Sequence, residues 1–156
     1  MKKIRVRFKP SNCIEYEVTC EAKELLQSIN GEIGIIAVAG MYRTGKSYLL
    51  NRMILDRSEG FGVGSTVNAC TKGLWVWGKP IKGRTVNGKE IDVLVIDSEG
   101  IGALDEDSSH DMRIFSIAIL LSSCFLYNSQ TSIDEQALTN MNLVLNITKH
   151  IHIKSS

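Results

Sequence analysis

An α/β sandwich of three layers around a mostly parallel sheet is what this sequence predicts, and three observations carry that prediction. Gly40-Met41-Tyr42-Arg43-Thr44-Gly45-Lys46-Ser47 fits the phosphate-binding pattern G-x-x-x-x-G-K-[ST]. The loop stands between an apolar, β-branched run at 33–39 and a helix-forming stretch at 48–55, the strand–loop–helix context that the pattern needs. A second apolar run, 91–96, ends in Asp97-Ser98-Glu99-Gly100, an acidic turn at the mouth of a parallel strand. Together they predict the P-loop NTPase architecture, with its site at the C-terminal ends of the strands.

The elements follow in order. Residues 3–9 alternate basic and apolar with period two, which predicts a half-buried strand at a sheet edge, where its charges discourage further pairing. Pro10-Ser11-Asn12 marks a turn, and 14–18 alternates again, so the first two strands are expected to form a hairpin. Thr19 is the expected N-cap of a helix running through Leu25, Leu26 and Ile29, closed by Asn30-Gly31. Beyond the phosphate loop, Gly60, Gly62 and Gly64 mark a loop continuing to Gly73, after which 74–77 reads as a strand. Residues 79–89 form a polar excursion with Asn87-Gly88 as a type I′ turn signal, its basic residues Lys79, Lys82, Arg84 and Lys89 solvating a hairpin tip. A polar, acidic loop at 101–111 precedes a helix at 114–121 and a buried strand at 124–127. Ala137, Leu138, Met141, Val144, Leu145 and Thr148 lie at helical spacing within 133–151, with Asp134 and Glu135 in the first turn.

Composition bounds the rest. A chain of 156 residues, 44% hydrophobic and 22% charged, suits one domain around one core. A net charge of +1 gives no electrostatic argument for nucleic acid or an anionic membrane. Cys13, Cys20, Cys70 and Cys124 lack zinc-site or redox-motif spacing, so reduced thiols in a cytoplasmic protein are expected. His150 and His152 are two apart and do not share a helix face. The apolar stretch 114–127 is too short to span a bilayer and carries Ser116, Ser122 and Ser123, so it reads as core; no transmembrane segment and no lipidation motif is expected in this chain.

The residue types state their chemistry. The glycines let the loop curl and let a polyphosphate approach the backbone, whose N–H groups and helix end attract an anion. Lys46 is expected to reach the β- and γ-phosphates, and the Ser47 hydroxyl to ligate Mg²⁺. Asp97 is expected to hold the same metal through its water shell, and Gly100 to offer an N–H to the γ-phosphate. D-x-x-G alone is a weak signal; downstream of the loop and an apolar strand it becomes a strong one.

Several separate motifs then occur in a familiar order. Tyr42-Arg43-Thr44-Gly45-Lys46-Ser47-Tyr48-Leu49-Leu50-Asn51, Gly64-Ser65-Thr66-Val67, Cys70-Thr71-Lys72-Gly73, Asp97-Ser98-Glu99-Gly100 and Leu121-Ser122-Ser123-Cys124-Phe125-Leu126-Tyr127-Asn128-Ser129 resemble the guanylate-binding protein GTPases, relatives of the dynamins and atlastins. The resemblance covers roughly residues 33–150. It implies a partial GTPase domain, its C-terminal part missing from this chain, with its P-loop at 40–47, switch I at about 60–73 and switch II at about 97–111. It further implies binding of GTP with Mg²⁺, GTP hydrolysis, a homodimer formed through the nucleotide face, and any membrane association through regions beyond this chain. By resemblance, Arg43 matches an internal arginine finger, Thr71 the switch threonine that closes on Mg²⁺ and the γ-phosphate, and Glu99 a glutamate that arranges the attacking water. Val63-Gly64-Ser65 matches a stretch that approaches the nucleotide, and the nucleotide is expected to lie against Gly40, Met41, Tyr42, Thr44, Gly45, Tyr48, Ser98 and Ile101 as well. From the residues alone Thr66 rivals Thr71, and only the family match decides between them; for Arg43 a surface ion pair is the lesser alternative.

The chain also departs from that pattern. Ala69 stands where many relatives carry a water-positioning serine, and Cys70 replaces a commoner histidine. Neither the guanine-reading Arg-Asp dipeptide nor Asn-Lys-x-Asp occurs. The competing expectations are a non-catalytic fragment that only associates with a full-length relative, and an adenine-nucleotide P-loop enzyme, which the 42–51 and 70–73 matches disfavour.

Overall fold

Apolar runs without a helical period must be buried on both faces, and in the computed structural model the longest of them pair side by side at the centre of one sheet. The structure describes residues 3–8, 16–63, 73–102 and 108–129, with Glu135, Leu138, Thr139, Met141, Asn142 and Asn146 beyond them. In chain order the elements are β1 (Lys3–Phe8), β2 (Tyr16–Val18), α1 (Cys20–Ser28), β3 (Ile33–Gly40), α2 (Lys46–Leu49) running into a π-helical turn (Leu50–Ile54), β4 (Leu74–Trp77), β5 (Ile81–Arg84), β6 (Glu90–Ser98), α3 (Ser108–Leu121) and β7 (Cys124–Asn128). The sheet order is β2-β1-β4-β6-β3-β7, with β5 also paired to β6. The parallel pairing that the sequence predicts lies at the centre, where β3 runs parallel to both β6 and β7. The remaining pairs, β1 with β2 and β4, and β6 with β4 and β5, are antiparallel. The fold is therefore the expected α/β type, with the C-terminal ends of its three parallel strands side by side.

Two alternating faces of β3 give the layers. Ala37 packs with Leu74, Ile96, Ile114 and Ala118, and Ala39 packs with Phe115 and Ile119, so α3 covers this face. Val38 points the other way, into Val95, Leu50, Leu55, Phe61 and Trp77. The small side chains at 37 and 39 leave room for Phe115, which meets Phe125 edge-on at 5.6 Å and Tyr127 at 6.2 Å.

Several expectations change in detail. The basic strand β1 is not at the edge, because β4 pairs with its second side; β2 is the outer strand. Thr19 caps α1 as expected, accepting from the Ala22 N–H. The helix after the phosphate loop widens into a π turn, with Leu55 N–H bonding the Leu50 carbonyl at 2.9 Å. That extra residue per turn lets Leu50 and Asn51 both face inward. The 79–89 excursion contains a strand, β5, and its turn is not type I′: Asn87 lacks the positive φ which that turn requires. Instead Gly88 alone takes φ +79° and its N–H bonds the Thr85 carbonyl, the arrangement of a type I turn followed by a left-handed glycine. Lys82, Arg84 and Lys89 pair with Asp92, Glu90 and Glu32 at the surface rather than facing water alone. Helix α3 begins at Ser108, so the acidic loop expected to reach 111 is shorter; Asp111 sits in the first helical turn, where a carboxylate is favoured, and accepts the Gly102 N–H at 2.6 Å. In the last helical stretch the described positions are helical, but Leu138 of the expected stripe is exposed; Ala137, Val144, Leu145 and Thr148 fall outside the described residues, as do Pro10-Ser11-Asn12.

Phe115 is 1% exposed and Leu120, on the same helix, 54%. Replacing Phe115 by alanine is expected to lower the unfolding free energy in urea titration by about 3–5 kcal/mol, and Leu120→Ala to change it by no more than about 0.5 kcal/mol.

Candidate functional site

The site grows out of the β3–β6 pair. Their parallel register runs to Val38 opposite Asp97, and the pairing does not stop where the strands end. Ile101 N–H bonds the Gly40 carbonyl at 3.1 Å, Tyr42 N–H bonds the Ile101 carbonyl at 2.8 Å, and Met41 bridges Ile101 in parallel. The phosphate-loop sequence and the acidic turn are thus laced together by backbone. Glycine is required at both seams: a Cβ at Gly40 would lie 2.1 Å from the Asn128 carbonyl oxygen, and one at Gly100 would lie 2.5 Å from the Tyr42 Cα.

Between the seams the loop curls. Arg43 holds φ +61° and Gly45 φ +85°. A left-handed arginine costs about 1–2 kcal/mol, and strain of this kind gathers at functional sites. The Thr44 hydroxyl bonds the Met41 carbonyl at 2.9 Å, and the Asn128 side-chain amide donates to the Thr44 carbonyl at 2.7 Å from the end of β7. The Arg43 guanidinium lies 5.9 Å over the Tyr42 ring, at an exposed position.

Lys46, only 7% exposed, opens α2 and donates from Nζ to the Met41 carbonyl at 2.9 Å. Burial pushes its ammonium below the ordinary value of 10.5, and the charges of Asp97 and Glu99 pull it back up. The next residue, Ser47, donates its hydroxyl to Asp97 Oδ2 at 2.6 Å across fifty residues of sequence, and Asp97 is fully buried. Two hard oxygens so placed fit a divalent cation that completes its shell with water and phosphate. Among the described residues no group of three or more His, Cys, Asp or Glu forms a closed metal cage.

Glu99, 3% exposed, closes the far side. Its N–H bonds the Gly73 carbonyl at 2.9 Å, and its Oε2 accepts the Gly73 N–H at 2.7 Å. The same Oε2 lies 3.3 Å from His110 Nε2 on α3. The hydroxyl of Ser98 donates to the Glu99 carbonyl at 3.2 Å.

Gly40, Met41, Tyr42, Arg43, Thr44, Gly45, Lys46 and Ser47 therefore meet Asp97, Ser98, Glu99, Gly100 and Ile101 in one place. Tyr48 is 56% exposed and Val63 61% exposed, neither buried in this assembly. Gly64, Ser65, Thr66, Ala69, Cys70 and Thr71 lie outside the described residues. Three residues given no role from the sequence help to build the site. Asn128 and His110 act as above, and buried Asn51 both donates to the Phe61 carbonyl at 3.0 Å and accepts the Phe61 N–H at 2.8 Å, fastening the segment that leads into the expected first switch. A polar amide at the end of an apolar strand signals Asn128; isolated positions 51 and 110 give no sequence signal, because their partners come from remote segments.

Fold and site together define a P-loop α/β domain. Over residues 14–156 the chain matches the family model for the guanylate-binding protein N-terminal domain, and it belongs to that family. It is 41% identical over 140 residues to guanylate-binding protein 3 of Mus musculus, 42% over 141 to guanylate-binding protein 1 of Chlorocebus aethiops and 39% over 140 to guanylate-binding protein 2 of Homo sapiens. Each match takes in 89% of this chain but only 22–23% of the relative, so the chain spans less than a quarter of the length of these curated relatives. No helix among the described residues is long and apolar enough to cross a membrane.

The buried lysine makes stability depend on pH. Its folded value lies below its unfolded one, so charging Lys46 opposes folding, and that penalty fades as pH rises through the folded value toward 10.5. Relative to Lys46→Met, the ligand-free wild type should gain unfolding free energy as pH is raised toward 10.5 and level off beyond it, measured by urea titration across pH.

Proposed function

We propose that this chain carries the phosphate- and Mg²⁺-binding half of a GTP-hydrolysing site of the guanylate-binding protein kind, and that its parent GTPase dimerises through the nucleotide face. The observation that supports this most is the convergence of Ser47 and Asp97 beside buried Lys46, at the end of a glycine loop laced to the acidic turn. Lys46 would leave the Met41 carbonyl to neutralise the β- and γ-phosphates, while loop N–H groups hold the remaining oxygens. Ser47 and Asp97, with Thr71 from the first switch, would hold Mg²⁺, which supplies charge neutralisation between the β- and γ-phosphates. Val63, Gly64, Ser65, Tyr48, Ser98 and Ile101 would line the nucleotide. Glu99 would orient the attacking water, and Arg43 would meet the negative charge that shifts as the terminal bond breaks. A cytoplasmic location fits the unpaired cysteine spacing.

Titration of a fluorescent GTP analogue with Mg²⁺ tests the binding step. In a form extended to the full domain, wild type should bind, and Lys46→Ala should lose binding, because it deletes the cation that meets the β- and γ-phosphates. Equal affinities would overturn the assignment of the loop.

Arg43→Ala separates catalysis from binding. An arginine that acts only in the transition state lowers kcat and spares affinity. The expected loss in single-turnover GTP hydrolysis is about 10³–10⁵-fold. A drop of less than about tenfold would leave Arg43 a structural residue, far below what such a finger supplies.

A further inference from the structure

We infer that His110 is a positioning residue for the reaction proposed above: it fixes the carboxylate of Glu99 so that one oxygen is held by protein and the other is left to a water. The inference rests on that hydrolytic reading. Glu99 is anchored from three directions. Its own N–H bonds the Gly73 carbonyl, its Oε2 takes the Gly73 N–H at 2.7 Å, and the His110 ring reaches the same Oε2 at 3.3 Å. An ionised carboxylate only accepts, which puts the proton on Nε2 and makes the ring the donor. Both donors to the carboxylate, the Gly73 backbone N–H and the His110 ring, fall on one oxygen. Oε1 is buried and, among the described residues, has no hydrogen-bond partner.

A carboxylate loaded on one side only is poised rather than satisfied, since buried acceptors are normally paired. Rotation about its last torsion would exchange the two oxygens and swing the free one away. Gly73 alone holds Oε2 along one direction, and His110 adds a second donor from a different element. The helix that carries the ring is itself held to the acidic turn, through the Asp111 carboxylate on the Gly102 N–H. Lys46 lies within charge–charge range of Glu99, and a Cβ on neighbouring Gly100 would lie 3.0 Å from Lys46 Nζ, so the carboxylate borders the space that the terminal phosphate would fill. The ring is 25% exposed while Glu99 is almost fully covered, which puts His110 at the rim and Glu99 inside.

The test uses the full-length parent protein as wild type, His110→Ala and His110→Gln, the last keeping an N–H donor at similar reach. Affinity for Mg²⁺ and a fluorescent GTP analogue is measured beside single-turnover hydrolysis. Circular dichroism establishes that each variant is folded. His110→Ala should lose about 10–100-fold in hydrolysis rate with affinity changed less than about twofold, and His110→Gln should recover most of the rate. Equal rates in wild type and His110→Ala, or parallel losses of rate and affinity that glutamine does not rescue, would overturn the inference while leaving the hydrolytic reading intact. A wild type that binds the analogue and never hydrolyses GTP would instead overturn the reading on which the inference stands. Should His110→Ala fail to fold, amide exchange in His110→Gln and His110→Leu replaces it: Gly73 N–H protection kept in Gln and lost in Leu supports the inference, and equal protection refutes it.

Discussion

The parallel pairing of β3 with β6 is the constraint on which everything else here depends. Parallel strands are joined by a long crossover, so their C-terminal ends emerge together from residues remote in sequence. Here that register carries past the strand ends through Gly40, Tyr42 and Ile101, and it delivers the Ser47 hydroxyl to the Asp97 carboxylate. Had the register slipped by one residue, Asp97 would face the opposite side of the sheet and the pair would not exist. β7 completes the arrangement from the other flank of β3, where Asn128 holds the Thr44 carbonyl.

Charge at the centre follows from the same geometry. Asp97, Glu99 and Lys46 are all nearly out of contact with water, and burial of charge is expensive unless partners are close. The opposing signs offset part of that cost, and the depressed lysine shows that the offset is incomplete.

Much of this was legible in the sequence because local pattern and global fold agree there. The glycine loop, the apolar β3 and β6 runs and the Thr19 cap are each encoded within a few residues, and each forms as read. Signals that depend on remote partners were not legible. The position of β1 turned on β4 claiming its second edge, which no residue of β1 announces. The Asn87-Gly88 dipeptide suits two hairpin turns, and the register that sets Arg84 opposite Glu90 goes with the longer one, which leaves Asn87 at negative φ. Likewise His110 and Asn51 look like ordinary helix-surface polar residues until the chain folds back on them. The acidic loop looked longer than it is because Ser108 to Asp111 are polar; α3 starts there nonetheless, with Asp111 tied to Gly102.

The π turn after α2 has an evolutionary corollary. A wide turn is a helix with one residue inserted, so removing one residue from Leu50–Ile54 would restore ordinary winding with the flanking helix facing much as before, and would remove one of the two neighbouring inward positions. Leu50 fills the core there and Asn51 makes two hydrogen bonds to the Phe61 backbone, so the position given up would be either a core side chain or the tether that holds Phe61 in its tilted contact with Trp77 at 5.4 Å. Chains sharing this loop should thus vary at the exposed positions of the turn, Arg52 and Met53, while keeping its length together with Leu50 and Asn51. A gap there in a comparison of family members would mark a lineage in which the following loop is anchored by other means.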